Sequence, residues 1–321
     1  MIDITLQKAR TWSRIGARAT YGQAILECAH KRDDFYVMTA DLAQSSGLNR
    51  FKEEFPERII NVGIAEQNMI GIAAGMAKDG AHIFASSFAP FITMRACEQV
   101  RINMGYMQLN ITTVGLGSGL GLAQQGNTHF GIEDAAVMRA IPGMTVVSPA
   151  DGVEICKAVE ALCDYGRPAY LRLTGEAGFP MVHKGDIDFQ IGKAIMLREG
   201  KDIAIVAAGT MVAYALQAAV SLSEKSIDAA VIDMHTIKPL DSEMLENLLG
   251  MKLIVTLEEA TVVGGLGSAV AEFLALKRVK PAQLILGIKD CFPLSGSYPF
   301  LLEQCRLTVP QIISDIEDAL K

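Results

Sequence analysis

Charge is sparse in this 321-residue chain: Asp, Glu, Lys and Arg make up 20% of it, and no run of Lys or Arg occurs. A nucleic-acid surface needs a concentrated basic patch. The net charge of -7, with a pI near 5.3, has the opposite sign, so nucleic acid is excluded as a partner. Aromatic residues are also few, at 6%. Cys28, Cys97, Cys156, Cys163, Cys291 and Cys305 are scattered without a C-x-x-C pair, which indicates neither a cysteine zinc site nor a disulfide framework and makes most of them reduced core thiols. The five histidines, His30, His82, His129, His183 and His235, have no spacing that signals a metal cluster. The first twenty residues are charged throughout and lack an apolar signal core, so the cytoplasm is the expected compartment. One uncharged stretch, Ile203 to Ser223, has the length of a membrane span. Gly209 and Thr210 divide it into a β-branched strand and an Ala-rich helix, which is a buried βα unit and not a transmembrane helix.

Half of the residues are hydrophobic, enough for two cores of ordinary size and incompatible with disorder. Strand-like runs alternate with helical ones. Strands are expected at Phe35 to Thr39, Ile59 to Val62, His82 to Ala85, Asn110 to Val114, Thr145 to Ser148 and Ala169 to Leu173, with helices at Tyr21 to Lys31, Glu66 to Lys78 and Gly152 to Asp164. After a Gly/Pro-containing, mixed-charge break at Phe179 to Gln190, a second series follows. Its strands are Ile203 to Val206, Ala229 to Ile232, Leu253 to Thr256 and Gln283 to Gly287, with helices beginning near Met211, Ser242, Gly267 and Pro310. This alternation predicts an α/β protein of two parallel-sheet domains, residues 1–185 and 190–321.

Two stretches stand out chemically. Between Arg58 and Lys78 the only charged residue is Glu66, at the start of an apolar helix, where unpaired N–H groups favour its ionised form. A first-turn Glu satisfied by backbone or solvent is the ordinary alternative. From Ile102 to Ile132 there is no charged residue, yet glycines stand at 115, 117, 119, 121 and 126. Their spacing fits neither a dinucleotide fingerprint nor a phosphate loop. It predicts a loop whose backbone approaches either a ligand, another chain or its own neighbours closely. His129 ends that loop, and Phe88 and Phe91 precede it as ordinary core aromatics by pattern alone.

Seven segments, ADLAQSSGL, NVGIAEQNMIGIAAGMA, SSFAPFITMRACEQVR, GNTHFGIEDAAVMRAIPGMTVVSPAD, RPAYLRL, VIDMHTIKPLD and EEATVVGGLGSAVAE, occur in an order that resembles the C-terminal half of transketolases. The resemblance runs from about Arg18 to the last helix. It implies a pyrimidine-binding domain for thiamine diphosphate followed by a transketolase C-terminal domain. It places on Glu66 the carboxylate that hydrogen-bonds N1′ of the cofactor's aminopyrimidine and promotes removal of the thiazolium C2 proton. Phe88 and Phe91 fall on the aromatic pocket around that ring, with Met94 replacing a third aromatic. Asp41 falls on an acid near the cofactor, Ser45 on a substrate-phosphate ligand and His129 on a substrate-channel histidine.

Other positions depart from the family pattern. The first channel histidine is Gly117, an aspartate that reads the acceptor hydroxyl is Gln125, and a phosphate-gripping arginine is Gly175. These losses weaken a phosphate site, so a modified or branched sugar phosphate is expected in place of ordinary pentose phosphates, with Arg18 or Arg172 as replacement cation. No Gly-Asp-Gly motif is present to hold the diphosphate through a divalent ion. Gly185-Asp186 is followed by Ile and lies in the linker. The resemblance therefore implies that Mg and diphosphate are held by an N-terminal partner subunit, in an α2β2 assembly, with two-carbon ketol transfer from a ketose to an aldose as the reaction. The beta subunit of a 2-oxoacid dehydrogenase, a 1-deoxyxylulose-5-phosphate-synthase-like enzyme and a non-catalytic structural subunit are the competing readings. The second domain offers no catalytic residue of its own; Glu258 and Glu259 are expected to be structural or interface acids.

Overall fold

The computed structural model describes residues 2–321. Twelve strands form two sheets. In the first part of the chain lie β1 (Phe35–Thr39), β2 (Ile59–Asn61), β3 (His82–Phe88), β4 (Ile111–Leu116), β5 (Thr145–Val147) and β6 (Ala169–Leu173). In the second lie β7 (Ile195–Arg198), β8 (Ile203–Ala207), β9 (Ala229–Asp233), β10 (Thr236–Lys238), β11 (Leu253–Thr261) and β12 (Ala282–Ile288). The sheet orders are β10-β5-β6-β4-β3-β1-β2 and β12-β11-β8-β9-β7.

The expected parallel βα pattern holds for the central strands, whose both-face burial matches their continuous apolar composition. Each sheet nevertheless carries one antiparallel strand that the pattern did not predict: β7 against β9, and β10 against β5. Both are short and irregular in register, so neither repeats long enough to be read as a periodic signal. β10 comes from beyond the linker yet completes the first sheet, tying the two halves together. A buried apolar cluster also runs without interruption from Met69, Ile70 and Ile83 to Ala204, Ile232 and Leu266.

Ile203–Ala207 and Met211–Glu224 form the strand and helix expected of the uncharged stretch. Among the described residues, no helix is long and apolar enough to cross a membrane. All six cysteines are free.

Candidate functional site

Glu66 opens the helix Glu66–Lys78 and is 2% exposed. Its isolation in the sequence does not survive folding. Oε1 accepts a hydrogen bond from Ser87 Oγ (2.9 Å), at the end of β3, and Oε2 accepts one from Arg95 Nη1 (2.8 Å). Arg95 lies 29 residues away in sequence, so no helical or strand spacing pairs it with Glu66. Its guanidinium also rests on the Phe91 ring, 4.0 Å from the centroid, and its side chain is 45% exposed. A buried carboxylate paired in this way is electrostatically compensated. Pairing alone therefore accounts for the burial of Glu66, and its role has to rest on where it sits.

Arg95 and Ser87 link Glu66 to an aromatic group. Phe88 ends β3, and Phe91 starts a wide turn, Phe91–Arg95, with π-helical hydrogen bonding, a feature frequent at functional sites. The Phe88, Phe91 and His129 rings meet edge to face, with centroids 6.0 Å apart for the two phenylalanines and 5.9 and 5.3 Å from His129 to Phe88 and Phe91. His129 Nδ1 bonds Thr128 Oγ1 at 2.9 Å. Met94, in the same turn, is 38% exposed. Glu66, Ser87, Phe88, Phe91, Arg95 and His129 thus form one contiguous group.

Asp41 and Ser45 lie on the loop after β1. Asp41 adopts φ 61°, held there by Asn61, whose Oδ1 accepts the Asp41 N–H (2.9 Å) and whose Nδ2 donates to Asp41 Oδ1 (3.0 Å). The Ser45 carbonyl accepts from Arg18 Nη1 at 3.4 Å. Arg18 also lines a cavity of about 460 Å³ together with Gln124, Gln125, Glu176 and Tyr298. Burial raises the Glu176 carboxyl against the opposing pull of Arg18.

Arg172 is not available to a substrate. It is 2% exposed, its Nε lies 2.9 Å from the buried Asp134 carboxylate, and its Nη2 donates to the carbonyls of Gly131 (3.2 Å) and Glu259 (2.8 Å). Tyr170 donates to the same Asp134 carboxylate at 2.6 Å. Of the two candidate replacement cations, Arg18 is the one that faces a cavity.

The glycine-rich loop is bound to the protein itself. Gly119 and Gly131 exchange backbone hydrogen bonds, and Leu120 N–H donates to Glu259 Oε1 at 2.7 Å. A Cβ on Gly119 would stand 2.5 Å from that oxygen. Thr210 and Tyr298 donate to the other oxygen of Glu259. The second domain, which carries no ring or base of the site, therefore fixes the loop that ends in His129. Glu258 does a different job, accepting from the N–H groups of Leu266 and Gly267 (2.9 Å each) at the start of the helix Leu266–Ala275. Gly117 has φ 62°, and a Cβ there would approach Leu122 Cγ to 2.6 Å, so this backbone has no room for the histidine of the family pattern.

Sequence reasoning missed Ser87 and Arg95. Arg95 sits in one of the family-like segments, SSFAPFITMRACEQVR, but only the π turn carries its side chain back over Phe91 to Glu66.

The chain is thus a two-domain α/β scaffold with a buried helix-terminal carboxylate and an aromatic corner at the strand ends of its first sheet. Residues 13–178 match the model of the transketolase pyrimidine-binding domain, and residues 192–312 that of the transketolase C-terminal domain. The chain belongs to the transketolase family, and its pyrimidine-binding domain implies involvement of thiamine diphosphate. It is similar to a 6-deoxy-6-sulfo-D-fructose transketolase subunit of a Clostridium species, 40% identical with 92% of each chain covered. It is also similar to an apulose-4-phosphate transketolase subunit of Phocaeicola vulgatus, 38% identical with 86% of this chain and 88% of that protein covered. Among solved structures, a split-gene transketolase described as an inactive β4 tetramer matches with TM-score 0.86 and 39% identity, covering 95% of this chain and 98% of that one.

Proposed function

We propose that this chain is the pyrimidine-side subunit of a split, thiamine-diphosphate-dependent transketolase that moves a two-carbon ketol unit from a ketose to an aldose. The observation that carries this reading is the position of Glu66: a buried carboxylate at a helix N-terminus, linked through Ser87 and Arg95 to the group of Phe88, Phe91 and His129 rings. These residues fit an aminopyrimidine, since a carboxylate oxygen is the acceptor a ring N–H needs and aromatic walls suit a flat heterocycle. When bound, thiamine diphosphate supplies the carbon nucleophile and electron sink for ketol transfer.

In this reading Glu66 Oε2 is the oxygen offered to the ring. The half-exposed Arg95 is the side chain that yields it, while Ser87 keeps Oε1 in place. Phe88 and Phe91 orient the heterocycle and exclude water, and Met94 borders them. Asp41, fixed by Asn61, lies at the same strand ends. His129, positioned by the Glu259-anchored loop, hydrogen-bonds a substrate hydroxyl. Ser45 and Arg18 receive the anionic end of the sugar, and Gln125 borders the same cavity.

The diphosphate and Mg are held by an N-terminal partner subunit. Exposed apolar surface around Glu66 supports this: Ile64 is 79% and Ile72 37% exposed, and nothing lies within 4 Å of a Cβ built on Gly71 or Gly75. A helix face of glycines and exposed isoleucine is suited to close packing by another chain. The inactivity stated for a relative built of one chain type agrees with a site that two chain types complete, and α2β2 is the expected assembly. Relatives named for 6-deoxy-6-sulfo-D-fructose and for apulose 4-phosphate support a modified or branched sugar phosphate in place of ordinary pentose phosphates as the substrate class.

The test is reconstitution. The chain should catalyse ketol transfer only when mixed with an N-terminal partner, thiamine diphosphate and Mg. Tight cofactor binding and turnover by the chain alone would refute the split site. Release of carbon dioxide from a 2-oxoacid would refute the reaction, and xylulose 5-phosphate turned over at least as well as any other sugar would refute the substrate class.

A further inference from the structure

Far along the chain from the cofactor-side group, three side chains from separate segments converge where the two domains join. Glu154 lies in the first turn of the helix Gly152–Tyr165, His183 in the linker and Asp233 at the end of β9. Their exposures are 0%, 6% and 0%. Glu154 Oε1, His183 Nε2 and both oxygens of Asp233 have no hydrogen-bond partner, and their ligand atoms all lie within 4.8 Å of one another. Two neighbouring buried atoms, Ser148 Oγ and His235 Nε2, are also without partners.

The backbone is built to hold this arrangement. Asp151 caps the helix by accepting from the N–H groups of Val153 (2.9 Å) and Glu154 (3.1 Å) with one oxygen. With the other it accepts from those of Val182 (2.8 Å) and His183 (2.6 Å), which fixes the linker over the helix start. Glu154 Oε2 is taken by the Ala150 N–H at 2.7 Å, leaving Oε1 turned toward His183.

With both carboxylates ionised, charge does not close in this cluster without a further cation; otherwise it closes only by protonating Asp233, whose carboxyl is pushed up by burial and by the Glu154 charge, beside a protonated His183. Two carboxylates with a neutral imidazole carry −2, and with an imidazolium −1, in a place nearly sealed from water. Three carboxylate oxygens face at most one N–H from His183 Nε2. Leaving a buried charge uncompensated costs several kcal/mol. The separations of His183 Nε2 from Glu154 Oε1 and Asp233 Oδ2 are 3.4 and 3.5 Å. A tetrahedral ion with ligand bonds of roughly 2.0–2.1 Å sets its ligands about 3.3–3.5 Å apart.

We propose that Glu154, His183 and Asp233 are the ligands of a structural zinc-class divalent ion that staples the helix of the first domain, the linker and β9 of the second. One imidazole nitrogen with two carboxylate oxygens selects such a borderline ion over Ca²⁺, which takes six to eight oxygens, and over Mg²⁺, which keeps its waters. A +2 ion with neutral His183 brings the cluster to zero charge. A water completes the coordination.

The experiment is metal analysis of the full-length chain purified from zinc-supplemented cells and desalted through a chelator. About one zinc per chain is expected, unchanged by excess Mg²⁺ or Ca²⁺, and less than a tenth of that in His183→Ala and Asp233→Asn. Because these variants can fail to fold, the wild-type chain is also unfolded with chelator and refolded with or without equimolar Zn²⁺ or Co²⁺. The metal should raise the melting temperature, and Co²⁺ should show the visible absorption of a four-coordinate ion. Wild-type protein with less than a tenth of an equivalent of metal, no stabilisation and no cobalt spectrum would overturn the proposal. So would one equivalent retained in a folded Glu154→Gln/Asp233→Asn variant, which would place the ion elsewhere. Neither readout uses enzymatic activity, so the result is independent of the proposed reaction.

Discussion

Replacing Glu66 separates a structural role from a chemical one. In Glu66→Gln the acceptor oxygen for Ser87 is kept and the ion pair with Arg95 is lost. That pair is worth little in stability because Arg95 is 45% exposed and screened: about 0–1 kcal/mol. Glu66→Ala also removes the buried Ser87 hydrogen bond, a further loss of about 1.5–3 kcal/mol. If Glu66 is the acid–base partner of the pyrimidine, both variants should lose about 10²–10⁴-fold in turnover, equivalent to about 3–5 kcal/mol of barrier. Gln then separates the roles: nearly native stability with activity as low as Ala. The assay is ketol transfer by the chain reconstituted with its partner, run beside urea unfolding of the chain. Glu66→Gln within tenfold of wild type would refute the assignment, and activity loss that tracks the stability loss across the two variants would make Glu66 a structural residue.

The buried polar groups and the glycine loop give three more expectations. Arg172→Met should destabilise by about 3–5 kcal/mol in urea unfolding, because it strands the buried Asp134 carboxylate, and adding Asp134→Asn should recover part of the loss. Gly119→Ala places a Cβ 2.5 Å from Glu259 Oε1 at φ 66°, so it should lower turnover through misplacement of His129 while the cofactor-binding constant changes little in titrations. Burial holds the His82 imidazole down at about 4, against the ordinary histidine value of 6.5. The unfolded chain therefore takes up a proton that the folded one refuses, and stability is full above about pH 6.5 and falls toward pH 4, by up to about 3 kcal/mol. Urea midpoints measured between pH 7.5 and 4.5 should show this slope in wild type and a flatter one in His82→Gln.

By itself the sequence determined the local βα order, because helix and strand periodicities are properties of neighbouring residues. It placed β1, β6 and the helix Glu66–Lys78 at their observed limits, and the ordered motifs identified the family. Its charge pattern singled out Glu66, and the family-like segments brought Phe88, Phe91 and His129 forward as candidates that pattern alone left as ordinary residues. Tertiary structure decided what those residues touch. Arg95 reaches Glu66 through a π turn, Arg172 is consumed by Asp134, and Glu259 anchors the glycine loop across the domain junction. Glu154, His183 and Asp233 stand far apart in the chain and meet only because β10 and the linker fold the second domain onto the first. Pairings between distant segments leave no periodic trace in the chain. They are set by how two separately legible domains pack, and the polar groups buried by that packing become partners or orphans only once it has occurred.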